Sequence, residues 1–253
     1  MSELAISLIV LACVFGSALL GIYLRSVLPE HHLSADAKDV VKLATGLVAT
    51  MSALVLGLLI SSAKGSFDRI NSELVQAAAA VLQLDRALAE YGPETAELRD
   101  QIKRHYAVVV DAIDSGDSSR LGSLDSHDAL IRVERMQATI EALAARNELQ
   151  RGQQARALDM AREISAARWH VLLNKSGAIS MPLLIVLVSW LVIIFAAFGL
   201  FAPRNPTVVA ALFLCALAAT GAILLILEMD RPLHGLIRIS SVPLRDALAH
   251  LGQ

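Results

Sequence analysis

Thr45, Thr50, Ser52 and Ser61 place hydroxyl groups inside a run, residues 43–62, that holds no Asp, Glu, Lys or Arg. Hydroxyls along a membrane helix can replace part of the hydration shell of a passing ion. The same run carries a small residue at every fourth position: Thr45, Ala49, Ala53, Gly57 and Ser61. Small side chains let a second helix backbone come close, so the stripe supports two readings. In one, these residues line a pore at a symmetry axis. In the other, they pack helices within one subunit. A second group closes the last apolar run, where Glu228, Asp230 and Arg231 precede Pro232. Acids at a membrane edge mark ion pathways in some proteins. In others they reach the headgroups or pair with a neighbouring base, here Arg231.

Little else is arranged for chemistry. His31 and His32 adjoin without a third ligand nearby, and His105, His127, His170, His234 and His250 are scattered. Cys13 and Cys215 lie singly inside apolar runs, without the CxxC pairing of a zinc or redox site. The chain has no Walker loop, no GxSxG elbow and no HExxH or GxGxxG motif. Neither enzymatic activity nor a metal or cofactor is expected. A net charge of −2 lends nothing to a nucleic-acid partner.

The elements that must hold these residues follow from hydropathy. Hydrophobic residues make up 55% of the chain and charged ones 18%, below the roughly 25% of soluble domains. The deficit is concentrated in four runs, at about 4–24, 43–62, 179–201 and 207–228. Spanning a ~30 Å hydrocarbon core takes about 20 helical residues, and lipid forces each backbone to satisfy itself, so each run is a spanning helix. No basic residue precedes the first run and Arg25 follows it, so it is expected to stay as a helix rather than be cleaved as a signal. Pro203 and Pro206 bracket a tight turn between the third and fourth helices. The expected class is all-α and integral to the membrane. The expected segments are 1–63 (two spans), 64–175 (a helical insert), 176–230 (a hairpin of two spans) and 231–253 (an amphipathic tail).

Basic residues orient the spans. The insert carries fifteen Lys and Arg and the tail three, against Arg25, Lys38, Lys42 and Arg204 on the other side. Basic residues stay inside, which predicts a multi-pass protein of the cell inner membrane with its insert and both termini in the cytoplasm. Within the insert, Phe67, Ile70, Leu74, Ala77, Val81, Leu84, Leu88 and Tyr91 form an apolar seam that ends at Gly92-Pro93. Gly65 leaves open whether this helix continues the second span. A second helix is expected over 94–114, with Leu98, Ile102, Val109 and Ile113 inward. A third follows from His127 towards Leu173, with a bend in the polar stretch Asn147–Gln154 that contains Gly152. Trp169 suits either a membrane-interface position or packing within the insert. The tail from Arg238 suits the membrane surface or a docking place on the insert.

The segment Ala53-Leu-Val-Leu-Gly-Leu-Leu-Ile-Ser-Ser-Ala-Lys-Gly-Ser-Phe-Asp resembles the second-helix signature of a bacterial family called bestrophin-like. Glu228-Met-Asp-Arg-Pro-Leu-His-Gly-Leu-Ile-Arg-Ile-Ser-Ser-Val-Pro-Leu resembles that family's closing motif. The likeness runs over most of the chain. More distantly, the layout resembles bestrophins, pentameric anion channels whose second helix lines the neck. That resemblance implies a homo-oligomeric ion channel, with inorganic anions and the lipid bilayer as partners. The matching helix departs from bestrophins in having Leu54, Leu58 and small residues at the neck, with no aromatic between Ala44 and Ser61. The alternative expectation is a membrane-anchored interaction or sensing protein whose seam binds a partner.

Overall fold

The structure, a computed structural model, describes residues 2–28, 35–123, 127–173, 181–230, 235 and 237–253. Regular structure among these residues is all helical. The helices are α1 (Glu3–Val27), α2 (Ala35–Tyr91), α3 (Ala96–Ser115), α4 (Ser118–Ser123), α5 (His127–Glu141), α6 (Glu148–Leu173), α7 (Met181–Phe201), α8 (Pro206–Met229) and α9 (Val242–His250). A 3-10 turn, Pro93–Thr95, follows α2. Helices α1, α2, α7 and α8 are long and apolar enough to cross a membrane. Two compact units emerge: Met1–Ser66 with Gly177–Asp230, and Phe67–Ser176 with Arg231–Gln253. Helix α2 contributes to both and passes Gly65 without a break.

The first unit is built on α1, α7, α8 and the first part of α2. Its core joins Val14 and Ala18 of α1, Leu59 and Ala63 of α2, Leu187 and Phe195 of α7, and Ala216 and Ile223 of α8. Phe15 and Phe213 meet edge to face, with ring centres 5.2 Å apart. The closest approach is between α1 and α7. A methyl at Gly199 would fall on the carbonyl oxygen of Ala18 and lie 2.8 Å from its carbon. One at Gly21 would fall on the Ala196 carbonyl oxygen and lie 2.7 Å from the Leu200 nitrogen. The two glycines bring the backbones together as small residues do at membrane helix crossings. Near this crossing the Arg25 guanidinium donates to the Ala202 carbonyl just past the end of α7, where a cation complements the helix dipole. Asn205 caps α8 by accepting from the Thr207 amide at 3.0 Å, with Pro206 opening the helix. Outward leucines such as Leu8, Leu54 and Leu214 are exposed, an arrangement that hydrocarbon tolerates and water does not.

The second unit has its own core. Val81, Leu84 and Leu88 of α2 pack with Ile102 and Val110 of α3, Ile140 of α5, Ala157 and Ala161 of α6, and Leu244 and Leu251 of the tail. The seam therefore meets other parts of the same chain from Leu74 onward. Tyr91 is buried, and α2 stops there as Gly92-Pro93 predicts, with Gly92 at φ 146°. Thr95 then ties the turn back by donating to carbonyls of Leu88 or Gly92. In α3 Val110 is fully buried, and half-buried Val109 packs against the same core.

The expected single helix from His127 to Leu173 is two helices, and the break at 142–147 comes at the start of the polar stretch Asn147–Gln154 and just before it. Side-chain caps explain the break. The Asn147 oxygen accepts from the Gln150 amide, and Gln150 Oε1 accepts from the Arg146 amide, each at 2.8 Å, a reciprocal cap that starts α6. Gln154 Nε2 donates to the carbonyls of Ile140, Glu141 and Leu143 where α5 ends. Gln154→Ala is expected to lower stability by about 1–2 kcal/mol, since carbonyls at the break lose their donor. Thermal melts against wild type check this; an unchanged melting temperature would mean water serves those carbonyls equally well.

Within the second unit the tail packs against α2 and α3. Asp85 of α2 takes Arg99 of α3 in a paired contact, Nε to Oδ1 at 2.8 Å and Nη2 to Oδ2 at 2.9 Å. Oδ2 also accepts from the Gly252 amide at 3.0 Å. Lys103 donates to the Leu251 carbonyl at 2.7 Å. Ser241 and Arg245 both donate to Asp114 Oδ1.

Candidate functional site

An α-helix turns by about 100° per residue, so a four-residue repeat overshoots a full turn by about 40° at each step. The stripe Thr45, Ala49, Ala53, Gly57, Ser61 therefore winds around α2 instead of marking one face. Thr45 is buried and Ala49 half-buried, while Ala53, Gly57 and Ser61 are exposed. A methyl at Gly57 would meet no atom within 4 Å. As a whole the stripe does not seal α2 against the rest of the unit. The tight glycine packing belongs to Gly21 and Gly199 instead.

Two heptad-spaced strips describe the spanning part of α2 better. Thr45, Ala49, Ser52, Leu56, Leu59 and Ala63 face inward, with Ser52 5% and Leu59 3% exposed. Leu43, Leu47, Thr50, Leu54, Gly57 and Ser61 form the opposite strip, and Leu54 is 72% exposed. Each strip steps alternately by four and three residues, the spacing of a surface that meets another helix along its length. The hydroxyls divide between the two. Ser52 Oγ donates to the Val48 carbonyl at 2.8 Å on the inner side. Thr50 Oγ1 donates to the Gly46 carbonyl at 2.9 Å on the outer side. Both keep oxygen lone pairs while their protons serve the helix's own backbone.

The membrane-edge acids differ in setting. Glu228 is buried in the last turn of α8, 4% exposed, while Asp230 is half-buried and caps that helix through its own amide. Arg231 lies outside the described residues, as do His31 and His32. Among the described residues no group of three or more His, Cys, Asp or Glu is placed to hold a metal. Cys13 and Cys215 are free and exposed.

Three features escaped the sequence reading: the Gly21–Gly199 crossing, the Arg25 cap on α7 and the Asp85–Arg99 pair. A signal for the first existed in Ser17 and Gly21, small residues four apart, but nothing in the sequence names Gly199 as the partner. Asp85 could have been noticed as a lone acid among Ala80, Val81, Leu84, Ala87 and Leu88.

A family model described as a Bestrophin-like domain matches residues 12–244. The chain belongs to the bestrophin-like family. The matched segment begins inside α1 and ends inside α9, so the bestrophin-like domain takes in both compact units. No curated protein and no solved structure matches the chain. With four apolar helices of spanning length, this bestrophin-like chain is a membrane protein.

Proposed function

We propose that this bestrophin-like membrane protein is a homo-oligomeric ion channel whose copies turn the outer strip of α2 toward a common axis. Thr50, Leu54, Gly57 and Ser61 of that strip line the path, flanked by exposed Ala53 and Leu58. Thr45, Ala49 and Ser52 act as packing residues on the other side of the helix. The observation that carries this reading is the composition of the uncovered strip. Lipid alone would favour leucine throughout. Instead, two hydroxyl residues and a glycine share the heptad positions with Leu43, Leu47 and Leu54, which suits a surface that meets water or another helix. The strip holds no charge, so ions would be met by hydroxyl oxygens and helix dipoles. Anions as the transported species rest on the family resemblance. The charge bias of the flanks supports an inner-membrane topology with both termini, the insert and the tail in the cytoplasm. In this role the protein is not an enzyme.

Gly57→Phe tests the reading. A ring at this open position of the lining should remove most of the ion flux into proteoliposomes, while a Phe at Gly16, another open position in the first unit but on α1, should not. Wild-type flux through a folded, oligomeric Gly57→Phe variant would take α2 out of the ion path.

A further inference from the structure

Helices α1 and α7 meet backbone to backbone at Gly21 and Gly199. Rods that touch at one crossing part on either side of it. On the side toward their N-termini, α1 and α7 leave a groove of about 580 Å³. Its wall on α1 runs from Ile6 to Cys13, and its wall on α7 from Met181 to Ile193. Val10 and Leu184 are buried at the floor, while Cys13 and Ser189 are exposed along the rim.

The groove asks for no hydrogen bond. Ser189 carries the hydroxyl of the lining, and its Oγ donates to the Val186 carbonyl at 2.7 Å. The other lining side chains are aliphatic or carry sulfur. Water gains nothing in such a place, and apolar cavities stay dry. The dimensions narrow the choice further. From Met181 to Ile193 the wall rises about 18 Å along α7 at 1.5 Å per residue. One leaflet of a ~30 Å hydrocarbon core is about 15 Å deep. Both helices start at this end, so the groove runs from one membrane face to about mid-bilayer. That is the reach of one lipid tail.

A helix from a second copy fits less well. With side chains a helix is about 10 Å wide, so ~18 Å of it fills well over ~1,000 Å³. A standard subunit contact also engages about 20–30 residues a side, whereas ten line the groove. Lipid tails are as apolar as leucine, so the attraction on offer is close packing and not escape from water. An empty groove forfeits the dispersion contacts of its walls, and a single ordered chain restores them.

We propose that this groove holds one acyl chain of a membrane phospholipid, with the headgroup left outside at the membrane face. The site is independent of ion conduction and of where α2 lies in the assembly.

The test uses the full chain. Protein stripped of lipid in a neutral maltoside is given dioleoylphosphatidylcholine and weighed by native mass spectrometry. Wild type should keep one phospholipid per chain after the detergent and looser lipids are removed. Cys13→Trp and Ser189→Trp, which fill the groove from opposite walls, should each lose that lipid. Cys215→Trp puts the same ring at an exposed place on α8 outside the lining and should keep it. A second readout needs no substitution. Cys13 and Cys215 are both free and exposed, so N-ethylmaleimide should label Cys13 more slowly once phosphatidylcholine is added and label Cys215 as before. This labelling decides the matter should the tryptophan variants fail to fold. Equal lipid counts in wild type and both groove variants overturn the proposal, as does Cys13 labelling that added lipid leaves unchanged. Cys13 shielded in lipid-free oligomers and released on dilution to monomers would give the groove to a second copy, and so overturn it too.

Discussion

Gly199→Leu will yield little or no monodisperse protein. The reason is backbone contact, which cannot yield as a flexible side chain can. Even a methyl at this position falls on the Ala18 carbonyl, and the same holds in reverse for Gly21 against Ala196. Overpacking a well-filled core costs typically about 1–3 kcal/mol when neighbouring side chains can shift. Here α1 and α7 must separate as rigid rods, which also undoes the burial of Val14, Ala18, Ile194 and Phe195. The expected loss therefore exceeds about 3 kcal/mol by that comparison. Gly221 on α8 supplies the control, because nothing lies within 4 Å of a methyl placed there. Gly221→Ala should be neutral or stabilising by up to about 1 kcal/mol, the usual helix-propensity gain over glycine. Size-exclusion profiles and melting curves in detergent separate the two. A Gly199→Leu variant that elutes and melts like wild type would show that α1 and α7 do not cross at these glycines.

The second large effect concerns the tail. Asp85→Asn should cost about 3 kcal/mol, the lower end of the roughly 3–5 kcal/mol lost when one partner of a buried ion pair is removed. The lower end applies because the Arg99 side chain, 19% exposed, keeps some contact with water. The effect should be local first. Amide exchange over 242–253 should quicken, since Asp85 accepts from the Gly252 amide and Arg99 donates to the Gln253 carbonyl. The difference also depends on pH. Burial by itself would raise the Asp85 pKa, but hydrogen bonds from Arg99 and Gly252, with the charges of Arg99 and Lys103, outweigh it and leave the value below 3.8. The folded chain thus takes up this proton less readily than the unfolded chain. Asp85 stabilises fully above about pH 4, and its contribution falls away as pH drops through 3.8 toward the lower folded value. Melting temperatures of wild type and Asp85→Asn should therefore differ by a constant amount above pH 5 and converge in acid. A gap that widened in acid would contradict the pairing. Tail exchange unchanged from wild type would show that Asp85 does not hold it.

Several elements were legible before any coordinates. The apolar runs had the length lipid demands, Gly92-Pro93 stopped α2 after Tyr91, and the motifs around Gly57 and Glu228 pointed to the family. The apolar seam was legible as a pattern because burial repeats every 3.5 residues along a packed helix, although what covered it was not. Polarity and Gly152 point to a bend within Asn147–Gln154, but residue type alone does not show that Asn147, Gln150 and Gln154 act as caps, so the break falls a few residues earlier. Their side chains cap the two helix ends, and caps outrank a single glycine with open space around it.

The candidate site divides in the same way. Sequence alone determined that residues 43–62 form an uncharged helix with hydroxyl and small residues, because composition dictates which solvent a segment accepts. It did not decide which of those residues face outward. That depends on which side of α2 the other helices of the first unit cover, and the four-residue stripe misled because it drifts around the helix. Tertiary structure turned Thr45 and Ser52 inward and left Thr50, Gly57 and Ser61 uncovered. It also chose Gly199 as the mate of Gly21, and Arg99 with Gly252 as the partners of Asp85. Those choices join residues far apart in the chain, and their energy lies in close contact and charge pairing that no local pattern of residue types encodes.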